Sequence, residues 1–180
     1  MDAYYATPVP PFPTALGAAF NTFTTRQDIS PQPLPIIYPG QLRIGSKIKV
    51  EAEGEFSTTG TPTLSIGTYI GTIAGVITTV IAEYTAAATG SAAASWPWRL
   101  EWRGIVTAVG TAGSVTGCGA VELGSSLVAA TTLPIPSTLA LRTIAWDTTI
   151  ARAIGVCATW GTSSASNSIK TYNSSVLLLN

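Results

Sequence analysis

Lys47-Ile48-Lys49-Val50-Glu51-Ala52-Glu53-Gly54-Glu55-Phe56 alternates without a break, charged at every odd position and apolar or small at every even one. Successive side chains of a β-strand point to opposite faces. This register therefore sends Ile48, Val50 and Phe56, with Ala52, toward a core and sends Lys47, Lys49, Glu51, Glu53 and Glu55 to water. A strand with one wet face belongs to an antiparallel sheet covered on one side only. Ser57 to Pro62 then reads as a turn, and Thr63 to Ile70 resumes the alternation with Leu64, Ile66 and Ile70 on one side.

Outward from that stretch the same texture recurs. In Trp98-Arg99-Leu100-Glu101-Trp102-Arg103, Trp98, Leu100 and Trp102 form one face and the three charges the other. Further strands are expected over 73–84, 105–109, 119–123, 139–146, 154–160 and 168–179, separated by turns rich in Gly, Ser and Thr such as 110–117 and 161–166. No segment carries a convincing helical stripe, and 127–133 and 86–94 fit either reading. Eight or nine antiparallel strands after residue 41 predict an all-β fold, an antiparallel two-sheet β-sandwich of jelly-roll-like size. An immunoglobulin-like fold is less suited, for want of a Cys–Trp–Cys signature. The alternation does not set strand order.

Residues 1–41 differ in kind from 42–180, which form the sandwich domain. Eight of the twelve prolines lie in this first section. Proline has no donor for a helix or a central strand, so an extended N-terminal arm is expected. The arm also carries Tyr4, Tyr5, Pro8, Pro10, Phe12, Phe20, Phe23, Ile36, Ile37 and Tyr38, side chains that a solvated linker would not carry. They are candidate partner-binding residues if the arm lies along a neighbouring surface. The alternative is that it folds back over its own sandwich; the two readings do not exclude each other.

Composition removes whole classes of function. Charged residues are 10% of the 180, nine basic against nine acidic, so much of the surface must be Thr, Ser, Gly and Ala. Such a surface is poorly defended against association. The basic residues are scattered, which argues against nucleic-acid binding. Histidine is absent, and with it the commonest general base and metal ligand. Cys118 and Cys157 are too few for a zinc site; they are either a disulfide or, more in keeping with free cysteine, two small buried thiols. No basic n-region and apolar run opens the chain, so synthesis in a cytoplasm is expected. Leu64 to Ala82 is uncharged and spaces Gly67, Gly71 and Gly75 as membrane helix pairs do, but its Thr, Ile and Val content favours two strands joined by a glycine turn. No membrane contact is expected.

The search for chemistry returns structural readings. Glu51, Glu53 and Glu55 project about 7 Å apart along a strand beside Lys47 and Lys49, a solvated face and not a metal site. Asp147 in Trp146-Asp147-Thr148-Thr149 fits an Asx-type turn. Serines lack an activating base, and neither a dinucleotide fingerprint nor a phosphate loop is present; Gly113 to Gly119 is glycine-rich without a lysine. Asn173-Ser174-Ser175 matches a glycosylation sequon that would matter only in a secreted chain. Trp96, Trp98 and Trp102 could line a sugar groove, but Trp98 and Trp102 share a face with Leu100 and fit a core better. Trp96, before Pro97, is the one expected to be exposed. No catalytic residue, cofactor or metal is expected.

Three stretches carry a family resemblance: Tyr38-Pro39-Gly40-Gln41-Leu42-Arg43-Ile44-Gly45, Gly54 to Leu64, and Ala158-Thr159-Trp160-Gly161 on to Ile169. Together they resemble small virion proteins of tailed bacteriophages, of the jelly-roll type that decorates capsids or sits in the tail. The resemblance spans roughly residues 38–180 in texture and leaves out the arm. It implies a non-enzymatic decoration (cement) protein on the capsid exterior, a homotrimer that binds the major capsid protein and neighbouring copies of itself. A tail or baseplate structural protein would share fold and texture. A carbohydrate- or receptor-binding module is the alternative from another class.

Overall fold

The computed structural model describes residues 6–11, 16–139 and 142–179. In chain order the strands are β1 (Ala6–Pro8), β2 (Phe20–Asn21), β3 (Gln27–Asp28), β4 (Ile36–Ile37), β5 (Lys47–Ser57), β6 (Thr63–Gly71) and β7 (Ile77–Ala88). They continue with β8 (Trp96–Ala108), β9 (Ser114–Gly124), β10 (Ala130–Ile135), β11 (Thr143–Ala145), β12 (Arg152–Trp160) and β13 (Ser168–Leu179). All pairings are antiparallel, and two sheets face each other across one core. The large sheet runs β1-β13-β5-β8-β9-β10, with β2 also on β13 and β11 also on β9; the small one runs β3-β12-β6-β7, with β4 also on β12.

The expected β-sandwich is what forms, and the alternation in β5 sets its polarity. Ile48, Val50, Phe56, Leu64, Ile66, Trp98, Leu100 and Trp102 are all buried, none more than 2% exposed. The chain crosses between sheets from β5 to β6 and again from β12 to β13, so β13 pairs β5 while β12 pairs β6. That nesting of first with last is the jelly-roll-like part of the connectivity. The inner strands depart from it, because β6–β7 and β8–β9–β10 stay within a sheet as hairpins.

Several boundaries differ from expectation for local reasons. The expected strands 98–103 and 105–109 are one strand, β8, since Gly104 gives the Trp102 ring room instead of breaking the strand: a Cβ there would sit 2.2 Å from the indole. The strand expected from residue 73 starts at Ile77, because Thr72 to Val76 close the turn, with Gly75 at positive φ. Residues 114–117 belong to β9 and not to a turn, and β10 occupies part of the ambiguous 127–133. Among the described residues of 139–146, only Thr143–Ala145 form a strand. Among the described residues no helix is long and apolar enough to cross a membrane.

The described part of the N-terminal segment folds back on its own sandwich. β1 and β2 extend the large sheet along β13, while β3 and β4 extend the small sheet along β12. Backbone bonds stitch the intervals: Val9 N to Val176 O, Gly17 N to Thr171 O, Ile29 N to Val156 O and Ile154 N to Pro35 O. Phe23, Ile29, Leu34 and Ile37 are buried. At roughly 1.5–3 kcal/mol for each large apolar side chain removed from water, these anchors are integral to the fold.

The same segment roofs part of the small sheet's outward side. Tyr69, Cys157, Ala153 and Leu34 are buried yet stand outside the main core cluster. By alternation, Tyr69 and Cys157 point away from the core that Ile66, Ile70, Val156 and Ala158 line. Ser30 Oγ takes the Val156 N–H at 2.7 Å, and Arg26 Nη2 donates to Glu83 Oε2 at 2.6 Å across the sheet. Of the two cysteines, both free, only Cys157 is buried. Cys118 is exposed, because its register opposite Arg103 turns it outward, so neither the disulfide nor the pair of buried thiols holds.

Candidate interaction face

The outward side of the large sheet is where the chain concentrates its charge. Ten of its eighteen charged residues lie there: Lys47, Lys49, Glu51, Glu53 and Glu55 on β5, Arg99, Glu101 and Arg103 on β8, Glu122 on β9 and Lys170 on β13. Their placement follows from what happens on the inward side. Trp98 and Trp102 occupy the core, each accommodated by glycine. Trp98 Nε1 donates to Lys170 O at 3.2 Å beside Gly54, where a Cβ would lie 1.9 Å from that carbonyl oxygen. The Trp102 ring covers Gly104 and Gly117. With the bulk pointing inward, the alternate positions are left to the charges.

Register lays these side chains out in rows. Lys47 stands beside Ile105 and Leu179; Lys49 beside Arg103 and Leu177; Glu51 beside Glu101; Glu53 beside Arg99, which neighbours Glu122; and Glu55 beside Lys170. Ion pairs knit the middle: Lys49 to Glu51 at 2.8 Å, Arg103 to Glu101 at 2.7 Å, and Arg99 to Glu51 and Glu101 at 3.7 and 3.9 Å. These groups are partly exposed, so each pair contributes at most about 1 kcal/mol. At the Glu55 end, the carboxylate accepts a hydrogen bond from Tyr172 and thereby raises the phenol's pKa.

Grooves run between the ridges. One of about 290 Å³ lies where Gly119 and Ala120 leave space between Arg99, Arg103 and Glu122. A larger one of about 760 Å³ at the Lys47 end is lined by Ile105, Leu177 and Leu179, with Arg103, Cys118 and Arg142 on its walls. Ile105 is 41% exposed although it is a large aliphatic side chain. Charged ridges beside apolar troughs suit contact over area. Among the described residues no group of three His, Cys, Asp or Glu is placed to hold a metal ion. Asp147 closes the expected Asx turn, accepting from Thr149 N at 2.9 Å and Thr149 Oγ1 at 2.6 Å, and those bonds lower its pKa.

The sequence-derived arm residues fall in different places. Tyr4, Tyr5 and Phe12 lie outside the described residues. Phe23 and Ile37 are in the protein's own core and not on offer to a partner; Phe20 packs edge-on to Phe23 at 6.3 Å and is half-buried, as is Ile36. Pro8, Pro10 and Tyr38 remain exposed. Trp96, expected at the surface, packs edge-on against Phe56 at 6.2 Å and is half-buried, and with Trp98 and Trp102 buried the sugar-groove arrangement does not form. The charged rows were visible strand by strand, but their adjacency was not. The available signal was that eight of eighteen charges fall in two strands of identical parity. No known protein family matches the chain, and no curated protein sequence matches it.

Proposed function

We propose that the chain is a structural, non-enzymatic virion protein that binds the outer surface of a bacteriophage capsid as a decoration protein and stabilises the lattice. The observation that carries this reading is the large sheet's outward side: a broad, ridged surface holding most of the charge of a protein that otherwise has little. Charge set across a flat sheet gives orientation and partner choice, and the troughs beside it supply apolar area. The resemblance in texture to phage virion proteins supports the major capsid protein as the partner, with neighbouring copies of the chain. Binding of nucleic acid is disfavoured, because the face carries as many carboxylates as cations.

Quantitative mass spectrometry of gradient-purified particles tests the reading. The chain should be present in a fixed ratio to the major capsid protein, and particles lacking it should lose their contents at a lower temperature. A copy number matching a tail instead of a shell would move the protein to the tail or baseplate. Its absence from particles would overturn the proposal.

A further inference from the structure

The large sheet's outward side is polarised along its strands. Among the described residues the Lys47 end carries Lys47, Lys49 and Arg103, with Arg142 on its rim, side chains that sum to +4. The other end carries Glu51, Glu53, Glu55, Glu101 and Glu122 against Arg99 and Lys170, a charge of −3. The ion pairs Lys49–Glu51 and Arg103–Glu101 lie along the boundary between the two halves.

A face that is positive at one end and negative at the other is complementary to itself. Turned over about a two-fold axis lying in the contact plane, across the strands at that boundary, a second copy places its negative end on the first copy's positive end, and the reverse. Such an isologous contact satisfies both halves at once. Size agrees as well. Five strands at about 4.8 Å spacing and nine residues at about 3.4 Å rise make a face of roughly 20 by 30 Å. That is about 600 Å² per copy before side-chain relief is added, within the range of specific interfaces. Ile105, Leu177 and Leu179 at one end would meet the Pro97 and Tyr172 end of the partner, where a smaller trough of about 370 Å³ opens.

The geometry points to a second copy of this chain as the occupant of the face, in an antiparallel, face-to-face dimer held by charge complementarity. The dimer is a state of the free chain and not of the particle-bound one, because it covers the face that the capsid-binding reading uses; its failure would leave that reading standing. It is two-fold and therefore distinct from the trimer that the family resemblance implies.

Sedimentation velocity of the full chain at low ionic strength should give twice the 18.5-kDa chain mass. Lys47→Glu with Arg103→Glu cancels the positive end, from +4 to zero, and Glu53→Lys with Glu122→Lys turns the negative end positive, from −3 to +1. Each double variant alone should weaken dimerisation by at least about tenfold, and an equimolar mixture of the two should pair again, since each then offers what the other lacks. Urea midpoints near that of the wild type would establish that both variants are folded. Should either fail to fold, the wild type alone decides: maleimide labelling of Cys118, which lies in this face, should slow as protein concentration rises, with buried Cys157 inert throughout. A monomer or a trimer in solution overturns the proposal. So does a mixture that stays monomeric, or Cys118 labelling independent of concentration.

Discussion

The two sheets turn very different surfaces outward. On β6 and β12 the outward positions hold Ser65, Gly67, Tyr69, Gly71, Ala153, Gly155, Cys157 and Thr159, without a charge, and the N-terminal segment lies against part of this side, as Ser30 does at Gly155. On β5 the outward positions from Lys47 to Glu55 are all charged, and on β8 so are Arg99, Glu101 and Arg103; they stay partly or fully exposed. Both pairs of strands line one core, so the difference is set by what covers the other side. Small residues admit a roof at close range: a Cβ on Gly155 would lie 2.7 Å from Ser30 Oγ and 2.6 Å from the Tyr69 ring. Charged residues on long stems forbid a dry roof and leave room for a wet, separable contact.

The largest way to break that contrast is to empty the roofed side. Tyr69→Ala removes a fully buried ring seated against Gly71 and Gly155, and should cost about 3–5 kcal/mol, read as a lower urea midpoint. A loss below about 1 kcal/mol would mean that the roof collapses freely onto the gap. For the same reason, deleting residues 1–40 would remove core anchors such as Phe23 and Ile37 together with any partner contact, so it cannot isolate binding.

Next in size is the ion pair under the roof, Arg26 with Glu83. Glu83 has a side chain only 6% exposed and one carboxylate oxygen without a partner, while Arg26 is 39% exposed. Arg26→Met strands a buried carboxylate and should cost about 2–3 kcal/mol, the usual penalty moderated by the water that reaches the arginine. Adding Glu83→Gln should recover much of it, which a double-mutant cycle measures directly.

Acidity sharpens the contrast further. Burial raises the pKa of Asp28 above 3.8, more than its bonds to Ser30 lower it. The folded state then holds a proton that the unfolded chain has released. This contribution is full below 3.8 and is lost as pH rises through the raised value. Asp28→Asn should flatten that decline in a series of urea midpoints across the acid range. The smallest effect belongs to the bare side: Glu101→Gln, despite its 2.7 Å pair with Arg103, should change stability by less than about 1 kcal/mol. A larger loss would show that the charged face contributes to the fold and not only to contacts.

Particular residues mark how far the chain could be read in one dimension. The inward set Ile48, Val50, Phe56, Leu64, Ile66, Trp98, Leu100 and Trp102 was legible because alternation is a property of neighbours two apart. The roof was half legible: β6 and β12 carry small or apolar residues on both sides, the pattern of a strand covered twice, but nothing in them names the cover. Phe23 and Ile37 read equally well as anchors for a partner and as anchors for the protein's own core. Gly104 reads as a break, and only the position of the Trp102 indole beside it explains why it stands inside a strand.

The sequence by itself determined that the chain is built of strands, which residues of each face inward, and that it contains no histidine and little charge. Those properties depend on side-chain type and a two-residue period, both local. Tertiary structure alone decided that β5 lies beside β8, that the N-terminal segment closes on β12 and β13, and that the charges sort into a positive and a negative end. Each of these rests on contacts between distant parts of the chain, as when Ser30 meets Val156 across 126 residues. Alternation says only that a strand has a partner on each flank and a cover on each side; which partner and which cover is settled by how all the strands pack at once.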